Sequence, residues 1–443
     1  MRGNLLQHGK PVAAAGSAAH THVGSSLFTD TVWIGFSQLG VLTAKLIGLR
    51  LLTEVFPAHI YGEAGLLLAV VALGLASAST PLVQAMMRAY PEISGHDDLG
   101  RLRRSSMQLL GWSVAVQLLL VVAVLVLWPD RAGRPSLLAV LGVVALILVE
   151  SLRSFETGLL TADRQQRRYA VWNALDAWAR PACALLLGLL VTSSAEALVW
   201  GYVLACAAML VLFSRWRIGT ELGSARIAVA DPVLRASMLR YAVTLAPLAP
   251  IAWMLSSADR FVLASYAGTE PTGMYIAAYG LGSAPMLALS MVLLTVFRPI
   301  LYRCVANGDR AGEVKLLLRW GVIYVVLAVL GLCLIKWLAP VAAQWFLAAS
   351  FRSVDSLIPW VAAAYALQGL QVVFETRIMA WNLNKRLWLL QLLGGVSALG
   401  LYAVLIPRYG MYGAALATLV SMSLTCVCAA ILARLPVARV QSG

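Results

Sequence analysis

Twelve ionisable side chains lie inside stretches that are otherwise apolar over membrane-spanning lengths: Lys45, Arg50, Glu54, Glu150, Arg153, Glu156, Asp176, Arg180, Asp259, Arg260, Glu375 and Arg377. A charge at the centre of a spanning helix costs about 2.5–3.5 kcal/mol on insertion scales and marks a functional candidate. Spacing divides the group. Arg50/Glu54, Glu150/Arg153, Arg153/Glu156 and Asp176/Arg180 are three or four residues apart, so each pair shares a helix face and can neutralise itself. Glu54, Glu375 and Arg377 sit near helix ends, where a long side chain reaches the interface. Lys45, Arg50, Arg153, Arg180 and Arg260 remain as a set of cations that could line a cavity. Forked guanidinium donors suit phosphate oxygens, so a phosphate-bearing ligand is the chemistry to expect. Asp259 adjoins Arg260, and neighbours on a helix point about 100° apart. Asp259 could therefore take a proton or a sodium ion or brace a neighbouring helix; Asp176 and Glu150 share that alternative.

The elements that must carry these residues are helices. The chain has 443 residues, is 60% hydrophobic and only 12% charged, against about 25% charged in soluble domains. Its apolar runs lack period-2 alternation, and helices or closed barrels are the structures that satisfy backbone groups in lipid. At about 20 residues per crossing, twelve spans are expected, near 28–52, 62–86, 106–128, 136–159, 171–191, 197–214, 241–265, 273–297, 317–337, 356–379, 388–406 and 412–433. The longest connection, 215–240, divides the chain. The organisation expected is a disordered tail (1–27), a six-helix lobe (28–214), a linker (215–240), a second six-helix lobe (241–433) and a short tail (434–443). The tail has no apolar core of the signal-peptide kind.

Net charge is +14. With both termini cytoplasmic, inward loops collect Arg88, Arg101, Arg103 and Arg104, then Arg164, Arg167 and Arg168, Arg215, Arg217, Arg226, Arg235 and Arg240, Arg298, Arg303, Arg310 and Lys315, and Lys385 and Arg386, and the tail adds Arg434 and Arg439. Outward loops hold only Arg131, Arg134, Lys336, Arg352 and Arg408. That asymmetry follows the positive-inside rule and accounts for the charge without nucleic acid. The six cysteines have neither metal nor disulfide spacing. No Walker, dinucleotide, zinc or nucleophile-elbow motif occurs, so no cofactor, metal or catalytic residue is expected.

The halves carry a faint repeat. Tyr61-Gly62 opens the second span with Arg88 beyond it, and Thr272-Gly273 opens the eighth with Arg298 beyond it; Arg50 precedes Gly62 much as Arg260 precedes Gly273. Arg50 and Arg260 are thus expected to be counterparts, with the site between the repeats. Pro247 and Pro250 in the seventh span are the expected hinge, and Pro81, Pro285 and Pro359 are further kinks.

The stretches LRASMLRYAVTLAPLAP and SSADRFVLASYAGTEPTGMYIAAYGL, with IPRYGMYGAALATLVS near the C-terminus, resemble the polysaccharide-transport branch of the multidrug/oligosaccharidyl-lipid/polysaccharide exporter superfamily, the bacterial O-antigen and exopolysaccharide flippases. Gly40–Arg50 and Tyr61–Gly65 fit more loosely, and Glu63-Ala64 departs from the small apolar pair common there. The resemblance runs over 28–433. It implies an all-α polytopic membrane protein of twelve helices in two lobes around a central cavity, without catalysis. The implied substrate is an undecaprenyl-diphosphate-linked oligosaccharide, flipped in the bacterial inner membrane by alternating access. Membrane lipids and the pathway's polymerase and chain-length regulator are the implied partners. The alternatives are a cation-coupled multidrug exporter of the same superfamily and a membrane-embedded polysaccharide polymerase or ligase. The first needs an acidic cavity, and the second a large outer loop, whereas the expected outward loops are short.

Overall fold

Capping residues and apolar runs between them set the elements of the computed structural model, which describes residues 16–92, 96–216 and 230–435. Its helices are α1 (Gly16–Val55), α2 (Ala58–Ala89), α3 (His96–Val126), α4 (Leu137–Ala162), α5 (Gln166–Leu190) and α6 (Ala195–Leu212). There follow α7 in two pieces (Pro232–Leu245 and Leu248–Ala267), α8 (Thr269–Ala306), α9 (Arg310–Phe346) and α10 (Ile358–Ala380). Asn384–Arg434 is continuous by hydrogen bonding, but Gly410 has φ 57° and ψ −131°. The chain reverses there into α11 (384–409) and α12 (411–434). A left-handed φ costs glycine nothing, and Gly413 then lies so close to Leu405 that a Cβ would meet its carbonyl oxygen at 2.1 Å.

Among the described residues nine helices are long and apolar enough to cross a membrane, ten with the bent pair in α7. Helix α5, whose hydropathy Asn173, Asp176 and Arg180 dilute, is still about 37 Å long at 1.5 Å per residue. With it, and with α11 and α12 separated, the spans number twelve. Side-chain caps mark several starts: Ser136 and Ser194 accept from the third amide beyond them, Asp231 from Val233 and Leu234 ahead of Pro232, and Asp309 from Gly312.

Two expectations need correction. Helix α1 begins at Gly16, because no proline interrupts the chain between Pro11 and Pro57, so 16–27 is helix rather than tail. The rest of that tail, residues 217–229 of the linker and 436–443 lie outside the described residues. Pro359 occupies the first turn of α10, where no helical hydrogen bond is lost, so it is not a kink. Pro285 does lie inside its helix, as do Pro181, Pro299, Pro340 and Pro407.

Small residues let the helices touch. Gly40 meets Ala174, and a Cβ on Gly48 would lie 2.9 Å from Pro181, drawing α1 along α5; Gly201 sits on the backbone of Ala184, drawing α5 to α6. Leu66, Leu67, Val143, Leu146, Ile147 and Val199 fill one apolar cluster from the first half. Tyr275, Trp320, Tyr324, Phe351 and Tyr402 fill a larger one from the second.

The halves meet at both ends of the bundle: at one, Leu82, Ala85 and Met86 of α2 and Leu102 and Leu109 of α3 pack with Met238 and Ala242 of α7, and the other bears the α1–α2, α7–α8 and α9–α10 connections. There α2 crosses α8 with the backbones in contact. A Cβ on Gly62 would meet the Thr269 carbonyl oxygen at 2.0 Å, and one on Gly273 would meet that of Ala58 at 1.9 Å. The crossing is symmetric, with a constant offset of 211 residues relating Ala58 to Thr269 and Gly62 to Gly273. Around it Thr53 Oγ1 accepts from the amide of Ala348 at 3.1 Å, Arg50 donates to the Leu347 carbonyl, Arg131 donates to that of Tyr266, and Tyr61 packs edge-on to Phe351. We refer to this as the closed end.

Candidate functional site

Between the halves lies a cavity of about 530 Å³, walled by α1, α2, α4, α5, α6, α7 and α8. Pockets of about 300–1,000 Å³ enclose a drug-sized ligand. Ser37 and Asn173, 3.1 Å apart, pin α1 to α5 below the Gly48–Pro181 contact. That docking turns Lys45 into the cavity opposite Asp176, Ala177 and Arg180. The bend in α7, 46° between its two pieces, delivers Arg260 to the same space. Pro247 and Pro250 stand at that break, which is where they remove the helical hydrogen bonds.

Four of the five candidate cations therefore share one cavity: Lys45, Arg153, Arg180 and Arg260. Their circumstances differ. Arg153 Nε lies 3.0 Å from Glu150 Oε2 and 3.7 Å from Asp176 Oδ2. Arg180 Nη2 lies 2.6 Å from Glu150 and 2.7 Å from Asp176. Two arginines and two buried carboxylates thus close a neutral network across α4 and α5, with Cys206 3.4 Å from Glu150. Glu156 does not join it, but pairs with Arg103 of α3. Lys45 and Arg260 have no ion-pair partner among the described residues, and they act on each other electrostatically. The Arg260 guanidinium lies 4.8 Å over the ring of Tyr279, and its Nε is buried without a hydrogen-bond partner. Asp259, 1% exposed, accepts from the Tyr275 hydroxyl at 2.6 Å and from the Arg260 amide at 2.9 Å. Asp259 thus ties α7 to α8 and faces away from the cavity lining.

Arg50 is placed elsewhere. It pairs with Glu54 and donates to Leu347 at the closed end. The expected equivalence with Arg260 fails by one residue: the offset of 211 sets Arg260 against Leu49. One residue is about 100° of rotation, which takes Arg50 off the cavity face. Arg377, expected near a helix end, binds Glu313 in the first turn of α9 at 2.5 Å and the Ala433 carbonyl in the last turn of α12. The cysteines are free.

Sequence reasoning missed the aromatic wall. Tyr61, Tyr202 and Tyr279 line the cavity, and no described residue hydrogen-bonds the hydroxyls of Tyr61 or Tyr202. Each sits in an apolar run where an aromatic reads as packing; the Tyr-Gly pairs Tyr61-Gly62 and Tyr279-Gly280 were the available signal.

A family model described as "Polysaccharide biosynthesis protein" matches residues 106–319. No curated protein sequence matches the chain. Among solved structures, lipid II flippase MurJ in an inward closed conformation aligns with a TM-score of 0.67 at 13% identity, covering 91% of this chain and 87% of that one. The inward-facing conformation of a multidrug resistance MATE family transporter of the MOP superfamily aligns at 0.61 and 11% identity, covering 91% and 94%. Its outward-facing counterpart aligns at 0.55 and 13%, covering 90% and 94%. The class this fold defines is the polytopic all-α membrane protein, with a fold shared by a transporter of the MOP superfamily and a lipid II flippase.

Proposed function

We propose that the chain flips an undecaprenyl-diphosphate-linked oligosaccharide from the inner to the outer leaflet of the bacterial inner membrane, for O-antigen or exopolysaccharide synthesis. Membrane lipids, and the polymerase and chain-length regulator of that pathway, are its partners. The observation that carries this reading is the pair of cations without an ion-pair contact, Lys45 and Arg260, in a cavity whose other lining charges cancel. Bringing a diphosphate into it supplies the missing anion, and each charge-assisted hydrogen bond contributes about 1.5–3 kcal/mol. The open hydroxyls of Tyr61 and Tyr202 and the ring of Tyr279 offer a sugar both hydrogen bonds and an apolar face. A family described by polysaccharide biosynthesis and a fold shared with a lipid II flippase point the same way.

In this reading both termini are cytoplasmic, the closed end faces outward, and the two lobes (28–214 and 241–433) rock about α7. A net anion leaving a negative interior moves downhill, by about 2.3 kcal/mol per charge per 100 mV. The cavity's excess of cations argues against the multidrug alternative, which requires attraction of cationic drugs.

The test is flipping of a lipid-diphosphate oligosaccharide by the purified chain in vesicles. Alanine at Lys45 or Arg260 is expected to lower the rate at least tenfold, since about 1.4 kcal/mol is a factor of ten. Undiminished flipping in Lys45→Ala, Arg153→Ala, Arg180→Ala and Arg260→Ala alike would remove the cationic cavity from the mechanism. Drug resistance on expression, without flipping, would instead establish the multidrug alternative.

A further inference from the structure

Most acids of the spanning helices are answered by a cation: Glu54 by Arg50, Glu150 by Arg153 and Arg180, Glu156 by Arg103, Glu313 by Arg377. Glu375 of α10 is answered by amides. Its Oε1 accepts from Gln371 Nε2 at 2.8 Å, one turn earlier, and from Gln391 Nε2 of α11 at 3.3 Å. Behind Gln371 stands α12, where the buried Thr425 hydroxyl lies 2.8 Å from Gln371 Oε1 and 3.0 Å from the Ser421 carbonyl oxygen. The charged groups that the packed helices bring to this end are Arg298 and Arg303 on α8, Arg310, Glu313, Lys315 and Arg319 on α9, Lys385 and Arg386 on α11, and Arg434 on α12, with Arg377 on α10 itself. None of them forms an ion pair with Glu375. Arg377 is committed to Glu313, and Arg386 to the Leu432 and Leu435 carbonyls.

A half-buried carboxylate without a counter-ion can be neutralised from solution, and a proton fits these partners atom for atom. We propose that Glu375, Gln371, Gln391 and Thr425 form a protonation site in the second half of the chain, read out by reversal of the Gln371 amide. With Glu375 ionised, Gln371 Nε2 donates to the carboxylate and Thr425 donates to Gln371 Oε1, the arrangement seen here. When a proton from solvent binds Glu375, its new O–H donates to Gln371 Oε1 once that amide turns over. Gln371 Nε2 then donates to Thr425 Oγ1, and the threonine hydroxyl turns to the Ser421 carbonyl. Each of these groups donates to one acceptor in each state, and Gln391 donates to Oε1 throughout. The protonation state of α10 is thereby written into its bonds with α12.

The experiment is infrared difference spectroscopy of the full chain in nanodiscs on acidification. Wild type is expected to gain a protonated-carboxyl band that Glu375→Gln, an isosteric change, lacks. Gln371→Leu is expected to keep the band at a shifted frequency, because the carboxyl loses its amide partner. Replacing potassium by sodium at constant ionic strength is expected to leave the band unchanged. Persistence of the band in Glu375→Gln, its absence from wild type, or an unshifted band in Gln371→Leu overturns the proposal. Loss of the band on adding sodium overturns the proton assignment in favour of a metal cation. None of these readouts depends on what the central cavity carries.

Discussion

Charge at a single position has different consequences according to whether its partner is already present. In the α4–α5 network Arg180 serves two carboxylates, so Arg180→Gln is expected to destabilise the protein by about 3 kcal/mol, in the range found for breaking a buried pair. Adding Glu150→Gln should recover much of that loss, and thermal unfolding in detergent measures both. Lys45 and Arg260, without ion-pair partners, should behave oppositely: alanine there costs flipping rather than stability. Outside the spans, Tyr90 donates to Asp163 at 2.6 Å. Burial first, and then this bond and the negative charge it faces, push the phenol up to about 12. The sign follows from that. A raised acid group stabilises the fold fully below its unfolded pKa of about 10 and loses the contribution as pH rises toward about 12. Wild type should therefore lose its stability margin over Tyr90→Phe between those limits, as melting curves at alkaline pH would show. At this scale the convergence of Lys45, Arg153, Arg180 and Arg260 was legible, since charge buried in apolar helices has few places to go. The pairing was not: Glu156 was as well spaced for Arg153 as Glu150, and only the packing of α3 gives it to Arg103.

Along whole helices, breaks carry the information. Proline and glycine announced the bend of α7 and the reversal at Gly410. The π-turn at Leu75–Ser79 in α2 was announced only by Pro81 just beyond it, one of the expected kinks. Its residues, LASAS, are ordinary, and what stabilises the turn is tertiary: Ser79 lies 2.6 Å from Ser151 of α4, and Gln117 of α3 donates to both hydroxyls. Helix ends read from composition came within a few residues for most spans, but helix α1 overran its expected start because nothing in Gly16–Phe28 breaks a helix. The crossing of α2 and α8 is the element-level contact most sensitive to volume. Valine at Gly62 or Gly273 would drive side-chain atoms into the opposite carbonyl. Spin labels at His59 and Arg352, on either side of the closed end, are expected to move apart in either variant. An unchanged distance would show that the crossing does not hold the end shut.

For the molecule as a whole, the twelve spans were legible because lipid permits so few architectures, and the basic loops assign a direction to them. Reporter fusions at 164–168 and at 385–386 are expected to report the cytoplasm, and fusions at 131–134 the outside. The internal repeat was legible only as a pair of Tyr-Gly and Thr-Gly dipeptides, and the structure shows why so little of it is needed. Gly62 touches the partner of Gly273 as Gly273 touches the partner of Gly62, an isologous contact of the kind a two-fold dimer makes. Elsewhere the halves meet through unlike partners: Ser105 and Ser106 of α3 face Asp231 and Met238 of α7, and Trp253 of α7 donates to the Ala69 carbonyl of α2. At the crossing each half fits a copy of the same backbone, and both carry glycine there. The chain can accordingly be regarded as a homodimer whose subunits have been joined end to end: residues 1–228 and 229–443, made as separate polypeptides in one membrane, are expected to assemble, and Gly62→Val to weaken that assembly.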